Sequence, residues 1–187
     1  MTRTHVVLGG LYLLWAPLQF VARIRDRHRA YHRRSGRVLI AVGLVVGVSA
    51  LFLGLVIPFS GDPERVVIGV FGGMFLLALG LGAVRIRQGR IVEHREWMIR
   101  AFAIGLSVAT MRLIFVPALM LTDPTDTQIV WLSVLAFTIA FTTHAVAAEL
   151  WIRRTRRHHL RGRLRRDDCA RPRASSAAPA YRRRPHA

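Results

Sequence analysis

The chain has no lysine and a single cysteine, Cys169. One thiol excludes an internal disulfide, and with it any zinc or iron–sulfur site built from several cysteines of one chain. The missing lysine leaves all 28 basic residues as Arg, a bias of composition from which no chemistry is read. Acidic residues are scarce too: ten Asp and Glu stand against those 28, for a formal net charge of +18. The sequence also contains no phosphate-binding loop, no HExxH or GxSxG signature and no paired catalytic carboxylates. It therefore assigns the chain to no enzyme class.

What is present in quantity is apolar surface. Hydrophobic residues make up 52% of the 187. That share and the large charge conflict in a soluble globular domain. They agree when the apolar residues lie in bilayer-length blocks with the charges between them. Five such blocks run Val6–Ala22, Val38–Phe59, Val66–Val84, Ala101–Leu121 and Ile129–Ile152. A helix needs about 20 residues to cross a hydrocarbon core of about 30 Å. The expected fold is therefore all-α: a polytopic bundle of five transmembrane helices over residues 1–154, followed by an Arg-rich disordered tail over 155–187.

Arg sets the expected orientation. Arg23–Arg37 holds seven Arg, Arg85–Arg100 five, and the chain from Arg153 onward thirteen. The two opposite connections, Ser60–Arg65 and Thr122–Gln128, hold only Arg65. The positive-inside rule then places the N-terminus outside and the tail inside the cytoplasmic membrane of a bacterium. The first block is not a cleaved signal, because its positive charge follows the apolar run instead of preceding it. "RRTRRHHLRGRLRR" (Arg153–Arg166) is expected to continue the last helix and to rest on anionic lipid at about 1 kcal/mol per Arg. Arg runs attract any polyanion, so the tail implies no specific nucleic-acid partner.

Two His-Arg stretches, "HRAYHRRSGR" (His28–Arg37) and "EHREWMIR" (Glu93–Arg100), each precede an apolar block. An offset of 62 positions superposes Arg23, Ile24 and Arg25 on Arg85, Ile86 and Arg87, His32 on His94, Arg33 on Arg95, and Gly43 on Gly105. The pattern reads as a duplicated helical hairpin, its copies related by an axis along the membrane normal, with the fifth helix unpaired.

His32 and His94 are then equivalent positions. Neutral imidazole is the commonest protein metal ligand, and two on different helices clamp a haem iron axially. The pair points to a cofactor of the haem b kind near the Arg-rich side; the plainer alternative is that each ring packs its own helix start. Arg112, in the middle of "TMRLIF", costs about 2.5–3.5 kcal/mol at such depth, so it is expected to face the bundle interior. No acidic residue lies in any of the five blocks at its depth. Backbone carbonyls, Thr110, water or a bound anion such as a haem propionate are left as partners. Gln19 and Glu149 lie at similar depth and are expected to hydrogen-bond each other. Together with His144 they are candidates for orienting a ligand-bearing ring from behind.

The residues Pro17, Gln19 and Phe20, then His32, Arg33, Gly36 and Arg37, then His94, Trp97, Met98 and Arg100, then Arg112 and Leu113 together form a pattern. It resembles a bacterial family of predicted membrane proteins, the domain of unknown function 2306, over most of His5–Arg154. The resemblance implies a polytopic membrane protein and supplies no activity. It also implies a further helix ahead of His5, and hence a longer N-terminus. Three functions stay open: haem or metal handling in electron transfer or respiratory-enzyme assembly, a small transporter, and a ligand-free scaffold that meets a membrane-protein partner.

Overall fold

A computed structural model describes residues 2–58, 61–122 and 124–170, with side chains described through Arg157. All the described secondary structure is helical: α1 (Thr2–Trp15), a 3-10 turn (Ala16–Phe20), α2 (Ala22–Arg27), α3 (Arg29–Val56), α4 (Asp62–Arg87), α5 (Ile91–Thr122) and α6 (Asp126–Ala170). The chain divides into two units, Met1–Leu150 and Trp151–Ala187. The first is the bundle. The second opens with the Arg-rich helical stretch that ends at Ala170. Residues 171–187, half of the tail expected to be disordered, lie outside the described residues.

Four helices, α3 to α6, are long and apolar enough to cross a membrane. The first expected span, 6–22, is divided. Pro17 has no N–H to donate and its ring crowds the preceding turn, so α1 stops after 14 residues, about 21 Å, and a 3-10 turn and α2 follow. The other spans are longer than their apolar blocks. α3 and α5 start nine or ten residues earlier, inside the Arg-rich stretches. Arg, Glu and Met are good helix formers, so the helix continues past the oil. His32 and His94 consequently sit in the first turns of helices and not in loops.

The turns carry their own chemistry. Gln88 caps α4, and Gly89 follows with φ +73°, a conformation that only glycine adopts freely. Its N–H donates to Ile86 O at 3.1 Å and the Arg90 N–H donates to Arg85 O at 2.9 Å. Those two bonds form a Schellman motif, which ends α4 and launches α5 two residues later.

The main core gathers Tyr12, Ala16, Leu39, Phe75, Leu79, Ala101, Ile104 and Phe141. A second cluster joins Met111 and Phe115 of α5 to Ala136 and Ala140 of α6. Phe71 of α4 stacks on Phe141 of α6, centroids 4.6 Å apart. The outside is as apolar as the inside: Leu14, Leu113, Met120 and Leu121 are each at least 76% exposed. A surface of that kind is tolerated by acyl chains and not by water, so the environment of the bundle is a lipid bilayer.

Candidate functional site

α5 joins two sites, one at each of its ends. At the Arg-rich end the expected ligand His94 is the fourth residue of α5. Its Nδ1–H donates to the Gly82 carbonyl of α4 at 2.8 Å, which leaves the Nε2 lone pair. Met98 packs on Gly82 from the same turn, at a point where a Cβ would collide with its methyl group. One turn on, Arg100 donates from Nε and Nη2 to the Glu149 carboxylate of α6, the second bond at 3.2 Å. The Arg100 guanidinium lies 4.6 Å from the Trp97 ring centroid, a cation–π contact that holds the fork in place. The stretch from His94 to Arg100 therefore pins α5 to α4 on one side and to α6 on the other.

The first His-Arg stretch does a related task with different atoms. Gln19 Nε2 donates to Ser35 Oγ at 2.8 Å, and Ser35 Oγ donates to Tyr31 O at 2.7 Å. Gly36 leaves room for the Gln19 amide: a Cβ there would stand 3.3 Å from Gln19 Oε1. Trp15 Nε1 donates to the Tyr31 hydroxyl at 3.0 Å. The expected bond between Gln19 and Glu149 is thus not formed. Each has a nearer partner, Ser35 for the amide and Arg100 for the carboxylate. His32 is the fourth residue of α3. Its Nδ1 is buried with no hydrogen-bond partner among the described residues.

His144 lies apart from that pair. Its Nδ1–H donates to Ala140 O at 2.9 Å, and its Nε2 accepts from Thr110 Oγ1 of α5 at 3.3 Å, so it ties α6 to α5 at mid-height. Among the described residues, no group of three or more His, Cys, Asp or Glu is placed to hold a metal ion.

At the Arg-poor end α4, α5 and α6 line an open cavity of about 280 Å³. Its polar lining is Glu64, Arg112 and Ser133; its apolar wall is Val108, Met111, Phe115, Val116 and Phe137. Glu64, in the first turn of α4, is only 6% exposed, and Ser133 of α6 is 1% exposed. Arg112 stands ten residues, about 15 Å, before the end of α5. Its charge also reaches His5 of α1, whose Nδ1–H donates to Ser49 Oγ of α3 at 2.9 Å. A second hollow, about 250 Å³, lies on the outside of α1 between Leu11, Leu14, Trp15, Leu18 and Tyr31. Neither hollow touches His32 or His94.

A family model described as predicted membrane protein, DUF2306, matches residues 2–152. The chain belongs to the DUF2306 family. No curated protein and no solved structure matches it.

In this DUF2306 member the expectation that no acidic residue shares the depth of Arg112 is overturned by Glu64. The third apolar block starts at Val66, whereas α4 begins at Asp62, so Glu64 falls inside the helix and is buried. A signal for this was present. "GDPERVV" places Gly before, Pro in and acids throughout a first turn, the pattern of a helix start. His5 had no such signal, because only the fold brings it to Ser49.

Proposed function

We propose that this DUF2306 protein binds a small solute with a carboxylate or other compact anionic group in the Arg112 cavity, reached from the outer side of the cytoplasmic membrane, as the loading step of a small transporter. One observation carries the reading: Arg112 and the buried Glu64, from two different helices, line a single cavity. Ionisable groups at membrane depth are expensive, and a pair facing one cavity marks a solute path more readily than a packing joint. The apolar wall and the few convergent polar groups are the usual make-up of a small-molecule pocket. The test is equilibrium binding of labelled short carboxylates and inorganic anions to the purified protein. Binding that depends on Arg112 supports the reading, and absence of binding across the panel contradicts it.

The orientation follows from the Arg count: the N-terminus outside, the tail in the cytoplasm against anionic lipid, and α1 with its 3-10 turn as a fifth, thinner crossing. A Thr125→Cys variant on a Cys169→Ser background should react with an impermeant thiol reagent in intact cells, and Gln88→Cys should not. The reverse pattern overturns the topology. Duplication of the hairpin has its own support. The offset of 62 carries Arg29, the first residue of α3, onto Ile91, the first residue of α5. Tyr12 also lies between the equivalent glycines Gly43 and Gly105, its ring atoms 3.0 and 3.4 Å from where their Cβ atoms would be.

A second reading keeps haem b between His32 and His94. It is favoured by the buried, unpartnered Nδ1 of His32 and by the bare Nε2 of His94. A Soret band in protein purified in mild detergent, lost on replacing either His, decides for it.

A further inference from the structure

The hollow on the outside of α1 has an apolar wall and lies beside an excess of positive charge. Leu11, Leu14 and Trp15 lie on one face of α1 at helical spacing, and Leu18 extends that face into the 3-10 turn. Tyr31, in the first turn of α3, completes the lining. The Trp15 Nε1–H donates to its hydroxyl at 3.0 Å, which ties the two walls together. The indole N–H is satisfied by that bond, so the hollow offers an occupant little but apolar surface. Leu14 is 78% exposed, so no other part of the bundle covers it. The bundle stands in lipid, and the hollow opens to that lipid.

The chain does not balance the charge beside it. Asp26 is the only acidic residue in Arg23–Arg37. It pairs with Arg25, and the other six Arg of that stretch form no ion pair among the described residues. The first turn of α3 holds no acidic residue, and its cap makes no side-chain bond, so the positive end of that helix adds to the excess. Arg34, which is exposed, follows Tyr31 by three residues and neighbours it on the surface of α3. Side chains on a helix tilt toward its N-terminus, so Arg34 leans to the turn of Tyr31 and to the Arg-rich end, the level of the headgroups. We infer that an anionic phospholipid occupies this site, one acyl chain in the hollow and its phosphate on Arg34. A zwitterionic lipid fits the hollow equally well but brings an ammonium into the Arg excess, so the headgroup charge decides between the two. The site is independent of the Arg112 cavity at the other end of the bundle. It also differs from a diffuse attraction of lipid to the basic tail, because one chain is held in one place.

The experiment follows Trp15 emission in the full chain, reconstituted in phosphatidylcholine vesicles. That emission is the difference between the wild-type protein and Trp15→Phe. Increasing fractions of the vesicle lipid are replaced by a lipid brominated on its chains, a contact quencher of indole, carrying either a phosphatidylglycerol or a phosphatidylcholine headgroup. Brominated phosphatidylglycerol should half-quench Trp15 at a mole fraction at least about threefold lower than brominated phosphatidylcholine, since one Arg near the surface favours an anionic lipid by about that factor or more. Arg34→Gln should bring the two lipids within about 1.5-fold of each other. Arg157→Gln removes the same charge from the basic continuation of α6 and should keep the preference. Arg34 and Arg157 are both exposed, so neither substitution disturbs the core. Equal quenching of the wild-type protein by the two lipids overturns the inference, because ordinary bilayer lipid then fills the hollow. A preference that survives Arg34→Gln overturns it too, and traces the preference to the overall positive charge. No quenching by either lipid means that protein, such as a second copy of the chain, covers Trp15, and that also overturns it.

Discussion

Arg112→Ala should weaken solute binding by about a hundredfold or more. Among the described residues Arg112 is the one cation lining the cavity. Truncating one partner of a desolvated charge pair costs about 2–5 kcal/mol, and each 1.4 kcal/mol is a factor of ten in affinity. The lower end of that range is already about thirtyfold, and its middle passes a hundredfold. Arg112→Lys should recover part of the affinity, since the charge returns but the planar two-pronged fork for a carboxylate does not. Removing an Arg at the other end, as in Arg95→Ala, should leave affinity unchanged. Arg112→Ala should insert normally, because removing a charge from mid-membrane lowers the cost of insertion. Titration of the three variants against wild type checks the ranking. Equal affinity in Arg112→Ala and wild type would remove Arg112 from the site.

The second large effect concerns the seam between α3 and α4, which holds the first wall of the bundle in place. Gly54→Val should lower stability by about 2 kcal/mol, within the range of about 1–3 kcal/mol for overpacking. A Cβ on Gly54 would lie 2.5 Å from Ile68 Cγ2 and 3.0 Å from Ile68 Cβ. Ile68 cannot swing aside, because a β-branched side chain on a helix has essentially one χ1 well. The helices must separate, and apolar contacts on both sides of the seam are lost with them. By the scaling for chains of this length the thermal midpoint should fall by about 5 °C. Gly10→Ala is the matched control. Nothing lies within 4 Å of its Cβ position. There the substitution should leave the midpoint unchanged or raise it, since alanine restricts the unfolded chain more than glycine does. A thermal melt in one detergent, read by tryptophan fluorescence, compares the three proteins. An unchanged midpoint in Gly54→Val would mean that α3 and α4 do not approach as closely as described.

The helical, membrane-bound character of the chain is legible without coordinates because it depends on local composition. Val38–Phe59, Ala101–Leu121 and Ile129–Ile152 are each long enough to satisfy their own backbone in oil, whatever they pack against. That His32 and His94 are each the fourth residue of a helix was not legible from the apolar blocks, which begin only at Val38 and Ala101. The ends of the helices were harder to read, since hydropathy falls where Arg begins but helix propensity does not. The partners were not legible. Gln19 and Glu149 share a depth, yet which neighbour each reaches is decided by how α3, α5 and α6 rotate about their axes, and that is a property of packing. The same holds for Glu64 and Arg112, 48 positions apart, which meet one cavity because α4 and α5 run antiparallel beside each other. In the stretch from His94 to Arg100 the sequence marks His94 as a candidate ligand and Trp97, Met98 and Arg100 as part of a family pattern. Three of its four marked side chains, His94, Met98 and Arg100, join helices, and Trp97 supports Arg100.

The central claim is that the Arg112 cavity opens outward and holds a solute. Val116 tests it most directly. It lies one turn from Arg112 toward the end of α5, lines the cavity and is 43% exposed, and it carries no charge on which binding depends. With Cys169 replaced by Ser, the single thiol of Val116→Cys should react with an impermeant reagent applied to intact cells, and a saturating short carboxylate that binds the purified protein should slow that reaction several-fold. A thiol that reacts only after the membrane is breached, or at a rate no solute in the panel changes, would contradict the account.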